Sequence, residues 1–564
     1  MISVSGKKWI EKYINKNSID KIKQDYNFSE ILSRLIVSRK FDLTEIHNIN
    51  NDLEIKNKFS NNIDFNNGAN LLIKSIKNKD KICILGDYDV DGSAATSLLV
   101  RFFNSINHPH YYYIPDREKD GYGATKKLFK KLIIKKPKLI IMVDCGSNSN
   151  EAIDFLNENK IKSIIIDHHE INKPYPKSQS IINPKKKDGY EEYDYLCATT
   201  LTYFFLDILV KKEKFNFKLS DFLIYVLLAS ICDVMPLRKL NREIAIRVLQ
   251  KFDLKKNIAF NSLFILSDRM NKLTVNDLGY FIGPIINSGG RLGKSNFATE
   301  LLSSNNQDLV KIKSNELIKL NNKRKDIEKK ILDEINFKKI ENENKNVIIY
   351  YNHSINEGLI GIIAARLKDY FNKPAIVITN SNNILKGSAR STHDYNIGNL
   401  MKLLCEKKII ENGGGHNMAA GFTIKKNQLK LLDDFIQNDY AIKIPKHKLI
   451  YEYDCEISSS ALNLKFIADI DKLGPFGNGN LLPCFLIRDL KIIKISVLND
   501  KHISSILKPK IGPSIKSICF NSINTAIGDN LLSYKKYMNV IGQIHQNIWN
   551  NKKTIQLNIK DILL

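Results

Sequence analysis

The stretch Gly86-Asp87-Tyr88-Asp89-Val90-Asp91-Gly92 follows the apolar run Ile82-Cys83-Ile84-Leu85 and precedes the small residues Ser93-Ala94-Ala95-Thr96, which lead into Leu98-Leu99-Val100. That order predicts a buried strand, an abrupt acidic turn, and a helix packed closely on the strand it has just left. Three carboxylates at alternating positions are thereby placed at the carboxyl end of a strand, where open α/β sheets hold their ligands. Close anions repel, and a cationic partner relieves the repulsion. An isolated acidic turn is ordinarily a solvated helix cap; the bracketing glycines, and the motifs downstream in the chain, argue for chemistry instead.

The same cadence recurs as far as Pro236. Leu139 to Val143 runs into Asp144-Cys145-Gly146, and Ser163 to Ile166 runs into Asp167-His168-His169-Glu170. The apolar stretch Phe222 to Ile231 delivers Asp233 within ASICDVMPL, where Pro236 breaks the helix. Short apolar runs alternating with amphipathic stretches predict a mostly parallel sheet wound by helices. Its strand ends gather Asp87, Asp89, Asp91, Asp144, His168, His169 and Asp233. Hard cations such as Mg²⁺ and Mn²⁺ prefer oxygen ligands, and imidazole tilts the preference toward Mn²⁺. Two such ions about 3.5–4 Å apart generate a nucleophile from water and neutralise a phosphoryl group in flight. The chemistry expected is phosphoester hydrolysis. Adjacent histidines are more often structural, but here they end a strand whose neighbours end in Asp.

At 564 residues the chain is too long for one core, and about three domains are expected. It carries 86 basic against 60 acidic residues, a formal +26, with a pI near 9.4. Such a balance favours a polyanionic partner, nucleic acid or an anionic surface, although the abundance of Lys, Asn and Ile can also reflect coding bias. The eight cysteines stand apart with no C-x-x-C pair, which argues against a zinc ribbon or thiol redox motif. Lys7, Lys8, Glu11 and Lys12 near the start precede no apolar stretch, and Phe222 to Cys232 falls short of the roughly 18 residues that cross a bilayer. A soluble cytoplasmic protein is expected.

Residues 1–70 read as a polar helical extension without chemistry, and 71–307 as the sheet-bearing domain. A connecting helix is expected over 308–345, with Leu309, Ile312, Leu317, Leu320, Ile327, Ile331 and Ile335 as its apolar face; a coiled coil is the weaker alternative because the a/d pattern is irregular. A second α/β domain with glycine clusters spans 346–445. Beyond it, alternating runs at Ile492 to Val497, Ile515 to Phe520 and Thr554 to Ile559 predict a small antiparallel barrel or sandwich. Between Lys491 and Lys516 six lysines face a single Asp500, suiting either a polyanion or a protected edge strand. Ser288 to Ser295, SGGRLGKS, would be a P-loop if Ser288 were Gly; without that glycine an ATPase is not favoured.

GDYDVDG, IMVDCGS, IIIDHHE and ASICDVMPL, in this order and spacing, resemble the four motifs of the DHH phosphoesterase superfamily. GPIINSGGRLG, EGLIGIIAARL, KGSARS and ENGGGHNMAAGFT resemble its associated domain. LGPFGNGNLLPCF and the barrel-like remainder resemble the superfamily's bacterial single-stranded-DNA exonucleases, and the likeness covers roughly residues 30–564. It implies an α/β catalytic domain, an associated α/β domain and a C-terminal OB-type β-barrel. It implies that Asp89, Asp91, Asp144, His168 and Asp233 coordinate two divalent cations, Mn²⁺ or Mg²⁺, with Asp144 bridging. His169 would then face the scissile phosphate and Asp87 support the site. Arg117 and Arg291 would contact phosphate, and Ser388, Arg390, Gly415 and His416 would hold the terminal nucleotide. The activity implied is 5′-to-3′ digestion of single-stranded DNA in repair and recombination, by a monomer alongside a single-strand binding protein and a helicase. Two rivals remain: a phosphodiesterase acting on oligoribonucleotides or cyclic dinucleotides, whose relatives usually lack the barrel, and a non-catalytic binding relative, which predicts eroded ligands. The chain departs from the pattern at Ile355-Asn356, where the family has Trp-His, and at Ser288-Gly289-Gly290, where it has an alanine pair.

Overall fold

Ile82–Leu85, Leu139–Val143 and Lys162–Ile166 form the centre of a five-stranded, all-parallel sheet whose edges are His110–Tyr113 and Ser180–Ile182. The structure, a computed structural model, describes residues 2–563 except 50–52, 117–118, 122, 189, 270–271, 382–383, 445–449, 534–535 and 550–551. It divides into two compact units, one built from Lys56–Met235 and Val248–Lys446, the other from Met1–Ile55, Pro236–Arg247 and His447–Leu564.

In the first unit, the earliest strand of the parallel sheet, Ile82–Leu85, lies between His110–Tyr113 and Leu139–Val143. The winding therefore reverses direction beside Ile82–Leu85, which creates a crevice at the carboxyl ends of Ile82–Leu85 and Leu139–Val143. The two edge strands are not legible in sequence: HYYY is half-buried throughout, and SII is too short for a periodic signal. The helix Val90–Ser105 that leaves the acidic turn is buried from Val90 to Phe103. It contacts the helices Ala198–Glu213, Leu223–Cys232 and Asn296–Ser303, with the small residues Ser93, Ala94, Ala95 and Ser97 in its first half and Leu98, Phe102 and Phe103 in its second. A larger residue at Ala95 would cost about 1–3 kcal/mol.

The long helix spans Gln307–Glu334, followed by a short helix Phe337–Asn342. Its buried face matches the expected one in part: Leu317 and Ile335 are buried, and Ile327 and Ile331 pack against a core. Val310, Ser314, Leu317, Asn321, Arg324 and Glu328 point inward, whereas Leu309 and Ile312 are exposed. Three of the inward polar residues bond to one another: Arg324 donates to Asn321 and to Glu328, and Glu328 also accepts from Arg366 Nε at 2.6 Å. A buried ionic stripe of this kind is invisible to a reading that follows apolar periodicity. The helix leads to a five-stranded sheet in the order Asn412–His416, Ala419–Ile424, Ile384–Arg390, Ala375–Ser381, Ile348–Tyr351. Only its last pair is parallel. Separate apolar cores line this domain, one around Leu400, Leu404 and Leu432, the other around Ile360, Ile363 and Leu367.

The second unit is built on a closed five-stranded barrel. Cys484–Leu498, His502–Pro509, Ile515–Cys519, Lys552–Leu563 and Met538–Trp549 pair in that order, and Met538–Trp549 returns to Cys484–Leu498. One pair, Ile515–Cys519 with Lys552–Leu563, is parallel. Residues 1–49 do not form an independent extension. Lys8–Glu11 pairs in parallel with Ile450–Tyr453, and Leu32, Leu35 and Ile36 enter the same core as Phe485, Ile487 and Val540. A polar-looking helical segment hides this role because Glu30–Ser38 exposes one face and buries the other. No described helix is long and apolar enough to cross a membrane.

Candidate metal centre

The acidic turn is built around close backbone approach. Asp89 caps the helix Val90–Ser105, its side chain accepting from Gly92 N at 3.0 Å. A Cβ on Gly92 would stand 2.5 Å from the Asp87 nitrogen, so glycine alone lets the helix fold back under the turn. Gly290 plays the matching part from the other side, where a Cβ would lie 2.5 Å from the Tyr88 carbonyl oxygen. The Ser288-Gly289-Gly290 variation thus brings the helix Gly283–Arg291 directly against the acidic turn.

Asp91 is buried and accepts from Ala198 N at 2.7 Å and Thr199 N at 2.8 Å, the first amides of the helix Ala198–Glu213. Burial and neighbouring Asp89 nevertheless push it up to about 6. Asp144 directly follows the strand Leu139–Val143 and takes a left-handed backbone, φ 60°. Burial first, then Asp91, Asp89, Asp87 and Asp233, raise its carboxyl well above the usual range. Asp233 caps the helix Leu223–Cys232 and is raised in the same way by burial, Asp91 and Asp89. Beside it Val234 holds φ 56°, an unfavourable conformation for a β-branched residue.

The histidines take opposite states. His168 is buried and held neutral by burial and by His169; its Nε2 lies 3.3 Å from Asp144 Oδ1, 3.4 Å from Asp233 Oδ2 and 3.7 Å from Asp91 Oδ2. Burial lowers His169 too, but Asp167 overcomes it and holds the ring up to about 9. The motif pattern does not single out Asp167 as a site residue; the structure does. Its Oδ1 accepts from His168 N, His169 N and His169 Nδ1, and its Oδ2 accepts from Ser147 N. Four donors on one buried carboxylate make it the organiser of the turn; in sequence it stands at the strand end within IIIDHHE, with nothing local to show this role.

Three sets of potential ligand atoms lie within 4.8 Å of one another: Asp144, His168 and His169; Asp91, His168 and Asp233; and Asp87, Asp89 and Asp144. Asp144 and His168 are each shared by two sets. Asp144 Oδ1 and Asp233 Oδ2 are buried acceptors with no hydrogen-bond donor. Unsatisfied anionic oxygens in a repelling cluster are costly, and divalent cations are the partners their chemistry fits.

The predicted nucleotide-holding residues lie in the associated domain of the same unit. Ser388 and Arg390 share the strand Ile384–Arg390, and Arg390 Nη1 donates to Ser388 Oγ at 3.3 Å. Gly361 faces this pair: a Cβ there would stand 2.9 Å from Arg390 Nη2. Arg291 ends its helix where Gly358 crosses its carbonyl oxygen, and Asn356 Oδ1 accepts from Gly358 N at 2.7 Å. Ile355 is buried among Leu359 and Ile363, so its departure from the family pattern is a core substitution. Gly415 and His416 close the edge strand Asn412–His416, and the His416 ring stacks toward His169 with centroids 6.0 Å apart. The catalytic and associated sets therefore meet at that histidine pair. Arg117 lies outside the described residues.

In the barrel, Lys491 and Lys508 face one another in register, both exposed, with Lys494, Ile493, Val497 and Phe520 also exposed nearby on the described strands and their ends. Like charges directly opposite are destabilising unless a polyanion joins them.

Three family models match the chain: the DHH family N-terminal domain over residues 81–231, the DHHA1 domain over 344–440, and the RecJ OB domain over 453–561. The single-stranded-DNA-specific exonuclease RecJ of Haemophilus influenzae is 29% identical over 501 residues, covering 84% of this chain and 87% of its own. Its namesake in Bacillus subtilis is 26% identical over 99% of this chain and 71% of its own. Among solved structures, RecJ from Thermus thermophilus in complex with Mn²⁺ superposes with a TM-score of 0.84 at 19% identity, covering 98% of this chain and 79% of that one. With catalytic, associated and OB-type domains all present in order, the chain belongs to the DHH phosphoesterase superfamily, in its RecJ branch.

Proposed function

We propose that this protein is a metal-dependent exonuclease that hydrolyses single-stranded DNA from the 5′ end, in repair and recombination. The observation that carries the reading is the shared pair Asp144 and His168: two overlapping ligand sets joined by a buried carboxylate whose Oδ1 has no donor. The relatives' names supply the DNA strand as substrate, and the resemblance supplies the polarity.

Asp89, Asp91, Asp144, His168 and Asp233 would hold two divalent cations, Mn²⁺ or Mg²⁺, with Asp144 and His168 each common to two of the ligand sets, and Asp87 stands close enough to Asp89 and Asp144 to serve as a further oxygen ligand. When bound, the ions activate water and neutralise the phosphoryl charge. Neutral His168 suits coordination. Asp167 fixes the His169 ring through Nδ1, so that a proton held by His169 reaches the phosphate from Nε2. Arg291, Arg390 and Ser388, with the backbone around Gly415 and the His416 ring, grip the terminal nucleotide through charge-assisted hydrogen bonds; Arg117 is assigned a phosphate contact on its motif alone. The barrel's exposed lysines and apolar residues suit single-stranded DNA as a ligand of that unit. We infer a cytoplasmic monomer that works alongside a single-strand binding protein and a helicase, a reading that the resemblance supports.

The test is digestion of 5′-labelled and 3′-labelled single strands, DNA and RNA in parallel, with Mn²⁺ and with Mg²⁺. Mononucleotide release from the 5′-labelled DNA at the first time points is expected. Release from the 3′ end first, or equal digestion of RNA, would replace this reading with that of another superfamily activity.

A further inference from the structure

Asn183-Pro184-Lys185-Lys186-Lys187 follows the edge strand Ser180–Ile182, whose register with Lys162–Ile166 puts Ile182 opposite Ile166. The lysine turn therefore emerges beside Asp167-His168-His169, on the same rim of the sheet. Asn183 ties the two turns together. Its Nδ2 donates to the His169 carbonyl at 2.9 Å and to Ser147 Oγ at 2.8 Å, while its Oδ1 accepts from Lys185 N at 2.9 Å. Since Ser147 N donates to Asp167, the backbone of Lys185 belongs to the network that orients His169.

The three lysines diverge from there. Lys186 is engaged by Asp64 and Asp188. Lys187 takes a left-handed backbone and points to solvent. Lys185 keeps only 20% of its side chain exposed, and its ammonium lies 3.5 Å from Glu170 Oε1, beyond a short ion-pair contact; Glu170 itself is half exposed. Glu170 directly follows the histidine pair, and Asn183 links the Lys185 backbone to the His169 carbonyl, so the lysine stands on the same rim as that pair.

Resting on the exonuclease reading above, we infer that Lys185 is a substrate-binding residue whose ammonium exchanges Glu170 for a phosphate oxygen of the strand bound at the metal centre. A half-exposed carboxylate is a fitting placeholder, because so loose an ion pair competes weakly against a phosphate oxygen held by further donors. Lys186 cannot substitute, since Asp64 and Asp188 already hold it.

The experiment compares the full chain with Lys185→Met, Lys185→Arg and Glu170→Gln on a short 5′-phosphorylated oligothymidylate. Turnover is followed with Mn²⁺, and equilibrium binding with Ca²⁺ in place of Mn²⁺. Loss of one charged contact predicts binding weakened by about tenfold or more in Lys185→Met, with Lys185→Arg restoring most of it and Glu170→Gln binding no worse than the parent. Melting temperature and Mn²⁺ stoichiometry should match the parent in all three. Unchanged binding and KM in Lys185→Met, or equal damage from Met and Arg, would overturn the assignment. If the parent binds the oligonucleotide without hydrolysing it, the exonuclease reading fails while the binding comparison still decides the role of Lys185.

Discussion

His169 Nδ1 lies 2.8 Å from Asp167 Oδ1, and that carboxylate also receives both backbone amides of the histidine pair. One buried anion therefore sets the position, tautomer and charge of the histidine proposed to face the phosphate. Asp167→Asn should lower kcat by about 10²–10⁴-fold, the range ascribed to a lost general acid or base, with KM and Mn²⁺ stoichiometry nearly unchanged. Steady-state kinetics beside a manganese titration checks this; equal losses in kcat and in metal binding would mean that Asp167 merely supports the fold.

Asp144 stores repulsion in the metal-free protein, because burial and four neighbouring carboxylates raise its pKa. A raised carboxyl favours the folded state below its unfolded pKa of about 3.9, and that advantage is lost as pH rises through the folded value. Asp144→Asn should thus abolish hydrolysis yet melt higher than the parent in EDTA at neutral pH. Adding Mn²⁺ should raise the melting temperature of the parent and leave the variant nearly unmoved. Calorimetry with and without metal reads both signs, and a variant that melts lower in EDTA would refute the repulsion argument.

Metal-free stability should also fall as pH is raised from about 4 to beyond 6, the value to which burial and Asp89 push Asp91. Saturating Mn²⁺ should flatten that dependence. Melting curves across the window test it.

The catalytic half is legible in sequence because its signals are local: a strand, a turn and a glycine sit next to one another in GDYDVDG. Asp167 escapes such a reading because its value lies in four donors drawn from two separate turns. The long helix misleads for a related reason. Its inward face is sealed by Arg324, Glu328 and Arg366, whose mutual satisfaction depends on a helix that begins at Ile360, well beyond any sequence window. Polarity sets residues 1–49 apart, although Leu32, Leu35 and Ile36 complete a core more than 400 residues away, as the contact from Ser38 to Asp454 shows with a separation of 416.

Gly361 stands where a methyl group would press on Arg390. Gly361→Ala should raise KM for a 5′-phosphorylated strand by about tenfold while kcat changes little, a contact of roughly 1.4 kcal/mol being at stake. A 5′-hydroxyl strand should feel the substitution less. Equal effects on both substrates would separate Arg390 from the terminal phosphate.

Lys491 and Lys508 predict a trade of opposite signs. Lys491→Glu replaces a like-charge cross-strand pair with an attractive one and should stabilise the barrel by about 0.2–1 kcal/mol. The same change should weaken binding to long single strands and reduce the salt slope by about 0.7 for the lost phosphate contact. Denaturant melts and salt-dependent binding isotherms measure the two effects.

The pairing of Lys8–Glu11 with Ile450–Tyr453 has a consequence for the order of events during synthesis. The early helices emerge from the ribosome with Leu32, Leu35 and Ile36 unmatched, and they wait through some 400 residues while the nuclease body forms between them and their partners. Over that interval their unmatched apolar faces suit holdase chaperones. Strands that follow residue 450 release them, so newly made nuclease bodies without the barrel should accumulate on such chaperones, and a ribosome-stalling series should show release only after the barrel strands have cleared the tunnel.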